Sequence, residues 1–139
     1  MNEVYVLDAC ALIAVLSGEK GAEIVMDIYN KALSGEASLI MNKIKLLEVY
    51  YGDYRVHGKE AADNMAEKIK MTPIKIVSEI DDGVFEKAGR LKANYKISLA
   101  DSIVLAQTEV TGGIILTADH HEFDIIESKE NIRFKWIRE

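Results

Sequence analysis

Cysteine and proline are nearly missing from this chain. One cysteine, Cys10, in 139 residues excludes an internal disulfide and fits a reducing cytoplasm. No apolar stretch reaches the ~20 residues of a membrane span, so no membrane partner is expected. The opening MNEVYV has no basic region and no cleavage site, so no signal peptide is expected either. Basic charge is also short: 17 Lys and Arg stand against 23 Asp and Glu, a net charge of −6. Taken alone, that deficit argues against a nucleic-acid partner. The objection weakens if acids converge on a divalent cation, because a bound ion reverses the local sign. There is no internal repeat, no low-complexity tract, no linker, no Gly-rich P-loop and no dinucleotide fingerprint. What remains is ordinary globular composition, 49% hydrophobic and 29% charged, at a length that predicts one domain over residues 1–139.

Strand-like runs alternate with helical ones. Strands are expected at Val4 to Leu7, Ser38 to Met41, Ile74 to Val77, Ile114 to Thr117 and Arg133 to Ile137. Helices are expected at Ala9 to Leu16, Gly21 to Leu33, Lys43 to Val56, Lys59 to Lys70, Leu99 to Thr111, and from a Ser78 cap to about Tyr95. A short helical turn is expected around Glu122 to Ile126. Such alternation predicts an α/β fold, a three-layer α/β/α sandwich on a mostly parallel sheet. In such sheets ligands bind at the carboxyl ends of the strands, so acids at strand ends are the candidates.

The run VYVLDACALIAVL holds one charge, Asp8, where the first strand meets the first helix. A carboxylate there must keep some hydration or find a partner. Asp119 lies two residues past the strand ending at Thr117. Each also fits a turn or helix N-cap role. Glu48 shares a helical stripe with Ile44, Leu47 and Tyr51, which puts it inside an apolar face, with Lys45 on the solvent side. The alternative is an edge residue whose stem packs while its head reaches water. Asp101 completes a capping box in SLAD, and it also heads the inward stripe of Val104, Leu105 and Thr108. Carboxylates brought close repel unless a cation balances them. Oxygen-only ligation suits Mg²⁺ or Mn²⁺. The favoured reading makes Asp8, Glu48, Asp101 and Asp119 metal ligands.

The pieces VYVLDACALIAVL, LLEVYYG, SLADSIVLAQ and IILTADHHEFD together resemble a PIN-domain nuclease, most closely the VapC-type toxin ribonucleases, over essentially the whole chain. The resemblance makes Asp8 the first-strand metal aspartate, Glu48 the helix glutamate, Asp101 the aspartate opening the later helix, and Asp119 the last, most variable acid. It makes Thr117 a supporting hydroxyl and puts Cys10 where the family often has Ser or Thr. It implies Mg²⁺- or Mn²⁺-dependent cleavage of RNA, leaving a 5′-phosphate and a 3′-hydroxyl. The ion's part is to activate water near neutral pH and to neutralise phosphate charge. It also implies a cytoplasmic homodimer and a small antitoxin protein, which could insert an Arg or Lys among the acids. The apolar residues of the second and third helices, with Tyr29 and Tyr54, are where those contacts are expected.

Asp124 either hydrogen-bonds into the acid cluster or caps its loop. The pair His120-His121 lacks zinc spacing. Cys10, between apolar residues, reads as packing rather than as a nucleophile. Lys43, Lys45, Lys87, Arg90, Lys92 and Lys96 read equally as RNA contacts or as solvated faces. Two rivals remain. A metal-dependent phosphatase on a similar sheet needs an aspartate two residues after Asp8, where Cys10 stands. A non-catalytic interaction module has no reason to keep inward acids, which destabilise it without a cation.

Overall fold

The structure is a computed structural model that describes residues 2–139. Its elements are β1 (Glu3–Leu7), α1 (Ala9–Ser17), α2 (Ala22–Leu33), β2 (Ala37–Asn42), α3 (Lys43–His57), α4 (Lys59–Lys70), β3 (Ile74–Val77), α5 (Asp82–Asn94), α6 (Leu99–Thr111), β4 (Ile114–Thr117), α7 (His120–Lys129) and β5 (Arg133–Trp136). The strands form one sheet in the order β3-β2-β1-β4-β5, and every pairing is parallel. The three-layer α/β/α architecture expected from the alternation is present. No described helix is long and apolar enough to cross a membrane.

Successive strand residues point to opposite faces, and the core divides accordingly. Val6, Ile40 and Ile115 pack with Val84, Leu91, Val104, Phe123 and Ile126 of α5, α6 and α7. Leu7, Leu39, Met41 and Leu116 pack with Leu12, Val25, Ile28, Val49 and Met65 of α1 to α4. Burial of both faces explains the near-continuous apolar strands. Helix α6 is buried from Asp101 through Thr108, so even its polar residues lie inside.

The chain leaves β1 and returns to the sheet first on one side, through β2, then on the other, through β4. The strand order therefore reverses at β1/β4, the position where an open parallel sheet gapes at its carboxyl edge. Val6 pairs with Ile115 and Leu7 with Leu116, and the Asp8 amide continues this ladder to the Leu116 carbonyl at 3.1 Å. Asp8 thus stands beside Thr117 at the mouth of that crevice.

Two local expectations are corrected. Helix α5 starts at Asp82 rather than at Ser78, because Asp81 is the cap: its side chain accepts from the Val84 amide at 2.9 Å. The turn expected near Glu122 is the full ten-residue α7. It hides from a periodicity reading because only Phe123 and Ile126 of its residues are buried.

Gly21 has φ 98° and lies against the chain after β5; a Cβ there would stand 2.4 Å from the Ile137 carbonyl oxygen. Gly21→Ala is expected to destabilise by about 2 kcal/mol, as overpacking does. A lower urea midpoint at unchanged slope would show it.

Candidate functional site

Four elements end or begin at the carboxyl edge near β1. Asp8 caps α1, taking the Ala9 amide at 2.9 Å on Oδ1. Asn42, the last residue of β2, caps α3 through the Ile44 amide at 3.0 Å, so the first turn of α3 rises beside Asp8. Ser98 caps α6, and its hydroxyl accepts from the Asp101 amide at 3.0 Å. Asp119 caps α7, taking the Glu122 amide at 3.2 Å. N-capping, the modest alternative for Asp8 and Asp119, is therefore real. It uses one oxygen of each carboxylate and leaves the other for further bonds.

The centre of the site is Lys45, a residue that the sequence pattern places on the solvent side of α3. Lys45 is 3% exposed. Its Nζ lies 3.0 Å from Asp8 Oδ1, 2.8 Å from Glu48 Oε1 and 2.5 Å from Asp101 Oδ1. Burial opposes its charge, yet the Asp8 and Asp101 carboxylates outweigh that and hold the ammonium well above the usual lysine range. Burial also pushes the Asp101 carboxyl up, and Lys45 offsets this only in part. The second half of the expected capping box is replaced, since the Asp101 carboxylate turns to Lys45.

The buried face of α3 lies one residue on from the expected stripe. Lys45 and Val49 are its buried residues, whereas Leu47 and Tyr51 are about half exposed. Apolar residues occur all round this helix, so their spacing does not fix its rotation. The ion pairs fix it, and Glu48 falls at the edge of the buried face with its side chain 30% exposed. A signal was available: Asn42, Lys45 and Val49 share one stripe at i, i+3 and i+7, beginning at a strand end. The rule that lysine faces water concealed it.

Thr117 is fully buried. Its hydroxyl donates to Asp8 Oδ2 at 2.8 Å and accepts from the Asp119 amide at 3.1 Å. It therefore ties the β1 acid to the turn carrying the β4 acid. Cys10 Sγ adds contacts to Asp8 Oδ2 at 3.6 Å and Thr117 Oγ1 at 3.5 Å, and it accepts from the Ala118 amide at 3.3 Å. Asp124 is exposed and meets His120 Nδ1 at 2.8 Å. His120 also reaches the Arg138 carbonyl and stacks on Trp136 with ring centroids 3.7 Å apart.

A cleft of about 460 Å³ opens over the cluster, with Asp8, Lys45, Glu48, Asp101, Asp119 and Arg138 on its walls. Of the four predicted site acids, Asp8, Glu48 and Asp101 meet at one point, and Asp119 stands on the same cleft. The donors are hard carboxylate oxygens, the right chemistry for Mg²⁺ or Mn²⁺. As they stand they are gathered around an ammonium: among the described residues no three His, Cys, Asp or Glu side chains are grouped to hold a metal ion. The inward acids thus already have an internal cation that offsets part of their charge, and their burial alone does not demand a metal.

The PIN-domain family matches residues 5–128. Several solved structures share the fold. A toxin–antitoxin complex from Klebsiella pneumoniae is 19% identical with TM-score 0.71, covering 97% of this chain and 98% of that one. VapBC2 from Rickettsia felis, bound to a DNA fragment from its promoter, is 14% identical with TM-score 0.74, covering 96% and 98%. VapC20 from Mycobacterium tuberculosis, a toxin cleaving the sarcin–ricin loop, is 13% identical with TM-score 0.62, covering 90% and 95%. At these identities the likeness is one of fold. A comparison with curated protein sequences finds no match.

Burial first, then the Asp8 charge, push the Cys10 thiol up to about 11. At pH 8 only about one thiol in a thousand would be ionised. Iodoacetamide is expected to label Cys10 at pH 8 at least ~100-fold more slowly in the folded protein than after denaturation, as intact-mass kinetics would show.

Proposed function

The chain belongs to the PIN-domain family of nucleases, and from that premise we propose that residues 1–139 form one Mg²⁺- or Mn²⁺-dependent endoribonuclease unit, the toxin of a type II toxin–antitoxin pair acting in the cytoplasm. One observation carries the reading: three carboxylates from three different elements converge on a single cation position at the strand-reversal crevice. A site that gathers negative charge so closely is built for positive charge.

In this reading Asp8 and Asp101 hold the ion. Glu48 and Asp119 hold it through water, orient the attacking water, or serve a second ion. When bound, the ion supplies a lowered water pKa and relief of charge at the phosphate. The chain's own residues do the positioning. Thr117 fixes the plane of the Asp8 carboxylate through the 2.8 Å bond. Glu48, the most exposed of the three acids around Lys45, is placed to take the proton of the attacking water at the cleft. In-line displacement by the water oxygen breaks the P–O3′ bond, the leaving oxygen takes a proton from solvent, and the products are a 5′-phosphate and a 3′-hydroxyl, with no covalent protein intermediate. The protonated Cys10 thiol agrees with that.

The larger groove, about 840 Å³ and mainly apolar, runs between α1, α2, α3 and α4 past Leu16, Val25, Tyr29, Val56 and Met65. It supports the antitoxin as a partner, since an apolar segment bound there would lie beside Glu48, which borders both openings. Homodimerisation is part of the same proposal, through the exposed apolar residues of α2 and α3 such as Leu33 and Tyr54.

A metal-free interaction module is the second reading, favoured by Lys45, which neutralises part of the cluster without any metal. Cleavage of total cellular RNA with Mn²⁺ separates the two. Wild type is expected to cut, and Asp101→Asn, folded by circular dichroism, to lose at least ~100-fold of that rate. Equal cutting by the folded variant would sink the site assignment. No cutting by wild type, together with no metal-induced rise in melting temperature, would leave the module reading in place.

A further inference from the structure

The bonds around Asp8 are full. An ionised carboxylate offers about four lone-pair directions. Asp8 Oδ1 takes the Ala9 amide at 2.9 Å and Lys45 Nζ at 3.0 Å. Asp8 Oδ2 takes the Thr117 hydroxyl at 2.8 Å and faces the Cys10 sulfur at 3.6 Å. Three of these four partners belong to the backbone or to residues of the sheet edge and α1. Of these partners Lys45 is the one carried on a flexible four-carbon stem, and it lines the cleft. Nζ also sits on Oδ1 of Asp101 and Oε1 of Glu48. A divalent ion takes carboxylate oxygens at about 2.0–2.2 Å. An ion shared by Asp8 and Asp101 through those oxygens would occupy the space that Nζ holds.

Resting on the reading above that this is a metal-dependent site, we propose that Lys45 is its resident counter-ion, and that the divalent cation binds only by exchange with the Lys45 ammonium. Three carboxylates against one ammonium leave two negative charges on the cluster. A divalent cation therefore outcompetes the ammonium on charge, while the ammonium keeps the acids gathered in its absence. Lys45 thereby sets the metal affinity of the site. Loading the metal also releases a long cationic side chain into the cleft over Asp119 and Arg138.

Two measurements on the full chain test this. The first is Mn²⁺ titration followed by electron paramagnetic resonance of the free ion, comparing wild type with Lys45→Met, which keeps length and loses charge. Lys45→Met is expected to bind Mn²⁺ at least ~10-fold more tightly, a difference of about 1.4 kcal/mol. Equal or weaker binding by the variant, where wild type binds, overturns the exchange and leaves the metal site standing. Binding by neither protein overturns both the metal reading and the exchange. The second measurement needs no variant and holds if Lys45→Met fails to fold. Acetylation of wild-type lysines by an activated ester, mapped by mass spectrometry, is expected to find Lys45 protected without metal and modified at least ~10-fold faster with saturating Mn²⁺. Continued protection of Lys45 in Mn²⁺-loaded protein overturns the exchange.

Discussion

The ion cluster of Lys45 with Asp8, Glu48 and Asp101 is the interaction on which the rest of the structure depends. It joins the end of β1, the first turn of α3 and the first turn of α6, elements distant in sequence and on both faces of the sheet. Buried charges are tolerated only when paired and hydrogen-bonded. Here the Asp8 lone pairs and the ammonium protons all have partners. The same requirement sets the rotation of α3, whose apolar residues leave it undetermined. Removal of Lys45 leaves the buried Asp8 and Asp101 carboxylates without their cation, so the cluster depends on that one side chain.

The sheet supplies the place for this cluster. A parallel sheet sends every strand's carboxyl end to one edge, and helix N-termini gather there. The chain's acids use that geometry twice. Asp8 and Asp119 each cap a helix with one oxygen while remaining on the cleft. Thr117 couples them, because the parallel register puts it directly beside Asp8. Capping and placement on the cleft are joint here, since the helix start fixes the carboxylate that lines it.

Much of this was legible from residue order. VYVLDAC announced a buried strand ending in an acid, SLAD announced a capped helix with an inward acid, and IILTAD repeated the strand-end pattern. The alternating elements then placed all three at one edge. The positions that misled were those where one residue type serves two environments. Asp81 and Ser78 are equally good caps by residue type, and the helix starts after Asp81. HHEFDIIESK has too few buried residues to look helical. The charge of Lys45 points it to water, because a sequence shows a lysine's preference but not the two carboxylates, Asp8 and Asp101, that arrive from elsewhere in the chain to join Glu48. An inward acid read alone implies a missing cation; the structure shows that the chain carries one of its own.

The internal ammonium stands where the proposed metal binds. The most direct measurement is a crystal structure grown with Mn²⁺, with diffraction data collected at the manganese absorption edge. An anomalous peak is expected between Asp8 and Asp101, with Lys45 Nζ moved off both carboxylates into the cleft. A map without that peak, with Lys45 still seated on all three acids, would contradict the exchange.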